Sequence, residues 1–196
     1  MIIGITGSIG SGKTTAAKIF SRHWYTRIDA DEIGHQIIKN KEVKDKIIKN
    51  FGNSVLDKNK QIDRAKLGDI VFDNSAKLKK LNSITHLPII KKIKNRVKNI
   101  EKKCGDKTRI VIDAPLLLET KTKNLVDKVV LIKANKENIL KRLNRKYPKG
   151  KIERILKAQM PPNKKIKYAD FVIDNNKDLK HLEKQVKEII NKLDKK

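Results

Sequence analysis

The sequence has little of what marks secreted, membrane-spanning or zinc-binding proteins. Its one cysteine, Cys104, permits no internal disulfide bond, and no basic-then-apolar leader opens the chain. Its apolar runs, such as residues 129–132, are strand-sized and too short to cross a membrane. The histidines have no cysteine or acidic partner at metal-ligand spacing; they are His23, His35, His86 and His181. These absences predict a reducing, cytoplasmic setting, no membrane partner and no zinc site.

Aromatic and acidic residues are also scarce, whereas lysine is abundant. The formal net charge of +26 is typical of nucleic-acid-binding proteins, but aromatic side chains make up only 4% of the chain. The sequence therefore lacks the aromatic residues on which single-stranded bases stack. Arginine, whose planar fork reads bases and phosphates, occurs only at Arg22, Arg27, Arg64, Arg96, Arg109, Arg142, Arg145 and Arg154. We interpret the excess charge as a solvated lysine surface that attracts anionic substrates, and we expect no specific nucleic-acid partner.

Glycine is infrequent, with 9 residues, yet three of them lie in Gly7-Ser8-Ile9-Gly10-Ser11-Gly12-Lys13-Thr14. This octet matches G-x-x-x-x-G-K-[ST], in which backbone N–H groups surround phosphates, the lysine reaches the β- and γ-phosphates and the hydroxyl binds Mg²⁺. A strand-like run precedes the octet, and a helical pattern follows it with Ala16, Ala17, Phe20 and Trp24 on one side. The predicted nucleoside triphosphate site comprises Gly7, Ser8, Gly10, Ser11, Gly12, Lys13, Thr14 and Thr15.

Short β-rich runs alternate with longer helical patterns, which is typical of an α/β fold with a parallel sheet. The predicted strands are residues 1–6, 26–29, 109–113, 128–133 and 171–174. The long interval between the second and third strands is predicted to be helical, with one helix ending at Gly52 and another opened by Pro88. We expect a nucleotide-binding core of residues 1–30, 104–140 and 160–196. A substrate-binding subdomain would span 31–103 and a mobile cationic lid 141–159.

Acidic residues at strand ends are the strongest catalytic candidates, because ligands bind at the carboxyl edge of parallel sheets. Phosphoryl transfer needs a carboxylate near the acceptor hydroxyl, a Mg²⁺ site and cations over the transferring group. Asp31 or Asp29 can accept the proton, although Asp29 can instead cap the helix that follows it. Asp113 can hold Mg²⁺ through water. Arg142 and Arg145 can close down from the lid.

The ordered set of motifs resembles that of the dephospho-CoA kinase family over almost the whole chain. The matching segments are the octet 7–14, Asp29-Ala30-Asp31, Asp113-Ala114-Pro115-Leu116-Leu117-Leu118-Glu119, Gln159, and Ala169-Asp170-Phe171-Val172-Ile173-Asp174-Asn175. The resemblance implies a P-loop NTPase three-layer fold with a five-stranded parallel sheet, a helical insertion and a lid. It also implies ATP- and Mg²⁺-dependent phosphorylation of the ribose 3′-hydroxyl of dephospho-CoA, the last step of coenzyme A synthesis.

The resemblance also suggests roles for individual residues. Asp31 would be the general base, with Lys13, Arg142 and Arg145 as the catalytic cations, and Asn175 would lie beside the adenine. Thr14 and Asp113 would hold Mg²⁺. The expected acceptor-binding residues are Asp29, Asp31, His35, Arg64, His86, Pro115 and Leu116. Arg64 can equally be a surface partner of Asp63 or Asp69. Oligomeric state is open.

The chain departs from the family pattern at three places. Leu87 separates His86 from Pro88, which the family usually has adjacent, so the acceptor pocket is expected to be reshaped. The lid arginines are one residue closer than usual, with Lys146 at the acidic position. Trp24 replaces a glycine usual before the second strand, which we interpret as a packing change.

Three other classes of protein share some of these features. A nucleoside monophosphate kinase or shikimate kinase would share the phosphate loop, sheet and lid, but would differ in the acceptor motifs. A GTPase would need Asn-Lys-x-Asp after a strand, whereas residues 191–194 carry that pattern inside the predicted terminal helix. A nucleic-acid-dependent ATPase would explain the charge but not the scarcity of aromatic residues.

Overall fold

The computed structural model describes residues 1–195 and divides the chain into two units. The first unit contains Met1–Asp29 and the chain from Arg96 onward, and the second contains Ala30–Asn95. The second unit lies within the predicted insertion 31–103 apart from Ala30, while the predicted lid 141–159 belongs to the first unit. Within the described residues, no helix has both the length and the apolar character needed to cross a membrane.

A five-stranded, all-parallel sheet with the order β2-β3-β1-β4-β5 forms the centre of the first unit. Its strands are β1 (Ile2–Thr6), β2 (Thr26–Asp29), β3 (Ile110–Asp113), β4 (Lys128–Lys133) and β5 (Phe171–Asp174). The predicted fold class and all five strands are therefore confirmed, with start positions that differ by at most one residue. The Val- and Ile-rich strands β3 and β4 are buried, as expected for strands covered on both faces.

The α-helices of the described chain are α1 (Lys13–Arg22), α2 (Ala30–Ile37), α3 (Lys41–Phe51), α4 (Arg64–Phe72), α5 (Ser75–Cys104), α6 (Lys136–Leu143), α7 (Lys149–Ala158), α8 (Pro162–Ile166) and α9 (Leu179–Asp194). In the first unit, α1 and α9 pack on the sheet through their apolar sides. Phe20 of α1 is fully buried in the same cluster as Leu182 and Val186 of α9. Asp178 caps α9 by accepting a hydrogen bond from the His181 N–H.

The second unit has its own small apolar core. Buried Val43, Ile47, Val55, Leu67 and Val71 form its centre. Side-chain caps begin its helices. The Asn40 side chain accepts hydrogen bonds at the start of α3, and the Asn74 side chain does so before α5. The predicted stop of α3 at Gly52 is confirmed, where φ is 78°.

Two local predictions are wrong. Pro88 does not open a helix but lies inside α5, which begins at Ser75. Proline removes one N–H donor there and crowds the carbonyl four residues earlier, but the flanking helical residues and the Asn74 cap outweigh this cost. Trp24 is not on the inner side of α1: it follows the helix, is 90% exposed and has φ of 69°. That turn needs a left-handed residue, which explains why glycine suits the position.

Candidate active site

The predicted phosphate-binding octet forms the loop between β1 and α1. At two positions in the loop only glycine fits, because atoms of other residues lie close to the Cα. A Cβ atom would lie 2.3 Å from the Ile132 carbonyl oxygen at Gly7, and 2.1 Å from Asn175 Nδ2 at Gly12. Gly10 has φ of 73°, which glycine adopts without strain. The loop therefore packs tightly against the ends of β4 and β5 and leaves no room for side chains at these positions.

Lys13 and Asn175 hold this loop from two sides. Lys13 is buried, and its Nζ donates a hydrogen bond to the Ser8 carbonyl oxygen at 3.1 Å. The Nδ2 of buried Asn175 donates to the Ser11 carbonyl oxygen at 2.7 Å. Thr14 is exposed in the first turn of α1. A lysine beside the N-terminus of a helix and a glycine loop is an arrangement that binds the phosphates of a nucleotide.

The two predicted lid arginines differ in environment. Arg142 on α6 donates from Nη2 to the Asn175 carbonyl oxygen at 2.7 Å and from Nη1 to the Gly10 carbonyl oxygen at 3.3 Å. Arg145 lies in the turn between α6 and α7 and is exposed to solvent. The structure therefore places the Arg142 guanidinium on the phosphate-binding loop, while the Arg145 side chain faces water.

Two aspartates share one arginine at the carboxyl edge of β2 and β3. Asp29 and Asp113 are partners in the strand register. Arg27 Nη2 donates to Asp29 Oδ2 at 2.5 Å and to Asp113 Oδ2 at 2.8 Å. The Asp113 side chain is only 4% exposed. One guanidinium thus offsets the repulsion between two neighbouring carboxylates and fixes their orientation.

The predicted acceptor-binding residues are divided between the two units. Those of the first unit lie at or just after strand ends: Asp29, Pro115 and Leu116. Those of the second unit lie on its helices: Asp31 and His35 on α2, Arg64 on α4, and His86 on α5. Asp31 is exposed in the first turn of α2.

Arg64 and His86 have contrasting electrostatic environments. Arg64 is exposed at the start of α4, where the carboxylate of Asp63 caps the helix by accepting hydrogen bonds from the N–H groups of Ala65 and Lys66. That carboxylate is therefore engaged with the helix backbone. The His86 Nε2 is buried without a hydrogen-bond partner in the described chain, and burial lowers the pKa of this imidazole. Near neutral pH we expect His86 to be uncharged.

Two charged residues at this sheet edge were not recognised from the sequence. Arg27 precedes Asp29 by two residues in β2, and this spacing places both side chains on one face of the strand. The Arg27–Asp29 pair could therefore have been predicted from the sequence. Lys165 of α8 is fully buried, and its Nζ lies 2.8 Å from the Pro115 carbonyl oxygen and 3.0 Å from Glu119 Oε1. Nothing distinguished Lys165 among so many lysines.

The parallel sheet and the glycine loop between its central strand and α1 define a nucleotide-binding protein of the P-loop class. The family model described as dephospho-CoA kinase matches residues 1–181. The chain therefore belongs to the dephospho-CoA kinase family, and it is an enzyme, an ATP-dependent kinase of coenzyme A biosynthesis that acts on dephospho-CoA.

Individual relatives agree with this assignment. The dephospho-CoA kinase of Fusobacterium nucleatum subsp. nucleatum is 42% identical over 191 residues, covering 95% of each chain. That of Carboxydothermus hydrogenoformans is 40% identical over 194 residues, covering 97% of this chain and 93% of the relative. The solved structure of dephospho-CoA kinase from Campylobacter jejuni has 29% identity and a TM-score of 0.71, covering 99% of this chain and 97% of that one.

Proposed function

We propose that this enzyme transfers the γ-phosphoryl group of ATP directly to the ribose 3′-hydroxyl of dephospho-CoA, with Asp31 as the general base. The observation that carries the proposal is the loop 7–14, whose close-packed glycines and buried Lys13 form a phosphate cradle ahead of α1. Asp31 supports it as an exposed carboxylate two residues after the end of β2. A carboxylate of this kind can accept the hydroxyl proton as the oxygen attacks phosphorus.

The cations of the chain would stabilise the charge that develops on the transferring group. The Lys13 ammonium would act on the β- and γ-phosphates. Arg142 supports the same role through its contacts with the Gly10 and Asn175 carbonyl oxygens, which hold its guanidinium at the loop. Arg145 would join the phosphates from the exposed turn between α6 and α7. Asn175 would lie beside the adenine.

Mg²⁺ fits the oxygen donors at this edge of the sheet. The Thr14 hydroxyl would bind the ion directly and the Asp113 carboxylate would hold it through water, and hydroxyl and carboxylate oxygens are the ligands that Mg²⁺ prefers. When bound, the ion neutralises charge between the β- and γ-phosphates. Arg27 orients the Asp113 carboxylate through Oδ2.

We assign acceptor binding to the residues that the family resemblance implies. Asp29, Pro115 and Leu116 would contribute from the strand ends, and His35, Arg64 and His86 from the helical unit. Arg64 is the cation we assign to an acceptor phosphate, because its exposed position keeps the guanidinium accessible. His86, uncharged near neutral pH, would serve as a hydrogen-bonding group.

A substrate panel tests the proposal. Purified enzyme is incubated with ATP, Mg²⁺ and one of dephospho-CoA, AMP, adenosine or shikimate, and the products are separated by mass. We expect only dephospho-CoA to gain a phosphate, and phosphorus NMR to place it on the 3′-oxygen. Transfer to AMP or shikimate in preference to dephospho-CoA would contradict the proposal, as would a phosphate at another position.

Replacement of Asp31 by asparagine tests the base. Asp31→Asn should lower kcat by roughly 10²- to 10⁴-fold, the usual size of a general-base contribution, with nucleotide affinity nearly unchanged. Glu32→Gln is the matched control, because Glu32 is an exposed acid in the same first turn of α2. Steady-state kinetics and ATP titrations provide the measurement. If Asp31→Asn turns over at the normal rate, Asp31 is not the general base, and either Asp29 or no carboxylate has that role.

A further inference from the structure

The arm formed by α6, the following turn and α7 contacts the phosphate-binding loop, and so does the residue that follows the arm. In the last turn of α6, Arg142 donates to the Gly10 and Ser11 carbonyl oxygens at 3.3 and 3.5 Å. Immediately after its end, Gln159 Oε1 accepts a hydrogen bond from the Ile9 N–H at 3.0 Å. Three successive residues at the tip of the loop are therefore hydrogen-bonded to the arm or to the residue that follows it.

Apolar packing joins the same elements. Ile9 packs against a buried cluster formed by Ile139, Leu143 and Ile152 of α6 and α7. Gly10 lies so close to this cluster that a Cβ atom there would be 2.9 Å from Leu143 Cδ1. The tip of the loop thus rests on the arm through side-chain contacts as well as hydrogen bonds, and its shape depends on where the arm is held.

The segment that carries Gln159 is held in place by a buried ion pair. Met160 N–H donates to Glu119 Oε1 at 3.1 Å, and the same oxygen lies 3.0 Å from Lys165 Nζ. Lys165 is fully buried and also donates to the Pro115 carbonyl oxygen at 2.8 Å and Thr6 Oγ1 at 3.3 Å. A buried ammonium with several acceptors strongly favours one position for the groups around it.

We propose that Gln159 is a positioning residue of the phosphate-binding loop, and that the Lys165–Glu119 pair acts through Met160 to hold it there. The Ile9 N–H donates to Gln159, and the Ser11 N–H donates to the Ser8 carbonyl oxygen at 3.1 Å, so these two hydrogen bonds together fix the curvature of the loop. Loss of the Gln159 oxygen would let the loop adopt more conformations, and ordering it again would weaken nucleotide binding. The inference rests on the proposed function only in that the loop binds ATP.

Gln159→Met tests the first link, because it keeps side-chain length and removes the acceptor. One lost hydrogen bond should weaken binding of ATP and ADP alike by roughly three- to tenfold, since the loop surrounds phosphates common to both. KM for ATP should rise by a similar factor while kcat at saturating ATP stays within about twofold. Amide hydrogen exchange at Ile9 should accelerate without a matching fall in Tm, which a general loss of stability would not produce.

The matched control is Gln61→Met, which makes the same chemical change at an exposed position of the second unit. It should bind ATP and ADP like the wild type. Unchanged nucleotide affinity and Ile9 exchange in Gln159→Met would overturn the inference. This outcome is distinct from failure of the proposed function, which would be a wild-type enzyme that binds ATP and leaves dephospho-CoA unphosphorylated.

A double-mutant cycle tests the second link and remains informative if one single variant folds poorly. Lys165→Met leaves the Glu119 carboxylate without its buried counterion, so it should weaken ATP binding. Adding Glu119→Gln removes that charge yet keeps an oxygen for Met160, and should recover ATP affinity severalfold. Strictly additive effects on ATP affinity would show that the pair does not act as a unit and would overturn this part of the inference.

Discussion

At the scale of single residues, the acidic edge of the sheet depends on one guanidinium. Asp29 and Asp113 lie side by side in adjacent strands, and Arg27 Nη2 reaches both carboxylates. Neighbouring carboxylates repel each other unless a cation lies between them. Because all three side chains are less than a quarter exposed, water screens this cluster only partly. We infer that Arg27 offsets the repulsion between the two carboxylates and orients them for the chemistry at the strand ends.

Arg27→Met should therefore be strongly destabilising. It removes the shared cation and leaves two adjacent, largely buried carboxylates, which costs roughly 3 kcal/mol in the free energy of unfolding. Urea unfolding monitored by circular dichroism gives the value. Arg22→Met is the control: its pair with Glu183 lies on the surface, with 69% of the arginine side chain exposed, and its loss should change stability by less than about 1 kcal/mol. Equal effects of the two replacements would contradict the proposed role of Arg27.

At the scale of elements, Asp170, the residue just before the edge strand β5, links that strand to its neighbour β4. Asp170 accepts a hydrogen bond from Lys128 Nζ at 2.8 Å and one from the Val129 N–H at 2.8 Å. Burial acts to raise the pKa of Asp170, but these hydrogen bonds outweigh it and hold the pKa below its ordinary value. The ionised carboxylate thus stabilises the β4–β5 pairing beside the segment that leads to Asn175.

The lowered pKa gives a pH dependence with a defined sign. Ionised Asp170 stabilises the fold fully above the ordinary aspartate pKa of about 3.9, and this stabilisation is lost as pH falls through the lower folded value. The difference in unfolding free energy between wild type and Asp170→Asn should be constant above about pH 5 and shrink on the acid side. Urea unfolding between pH 3 and 7 measures it, and Lys128→Met should reduce the same pH-dependent component. Parallel stability curves at all pH values would contradict this account.

The element scale also shows where local sequence signals were sufficient. Strands β3 and β4 are runs of Val and Ile that suit only a doubly covered sheet, so their positions were predictable. The start of α5 was not predictable in this way, because Pro88 was a stronger local signal for a helix start than the side-chain cap at Asn74. The lost hydrogen bond and the steric crowding at Pro88 are outweighed by the rest of a long helix.

At the scale of the whole molecule, the formal net charge of +26 is the dominant feature. The substrates of the reaction are anions, and a positive field increases their encounter rate with the enzyme at low ionic strength. The same field would attract polynucleotides without selecting a sequence, because phosphate contacts by lysine carry no base information.

Polynucleotide binding should accordingly be weak, nonselective and sensitive to salt. The affinity for a short single-stranded RNA should fall by roughly 300-fold or more between about 50 and 200 mM salt if six or more phosphates are contacted. Fluorescence anisotropy with two RNAs of unrelated sequence provides the measurement, and both should give the same curve. Tight binding that resists salt and favours one sequence would instead support a nucleic-acid-dependent activity.

The amino-acid sequence by itself determined the phosphate loop, the five strands and the motifs of the family, because each of these is a short run of residues. Gly7 and the lysine that follows it by six positions can be recognised from their spacing alone. Tertiary structure alone decided that Lys165 is buried against Glu119, that Gln159 holds the Ile9 N–H and that Arg27 spans two strands. These contacts join residues far apart in sequence or in different strands. Their energy comes from burial and pairing, which no local pattern encodes.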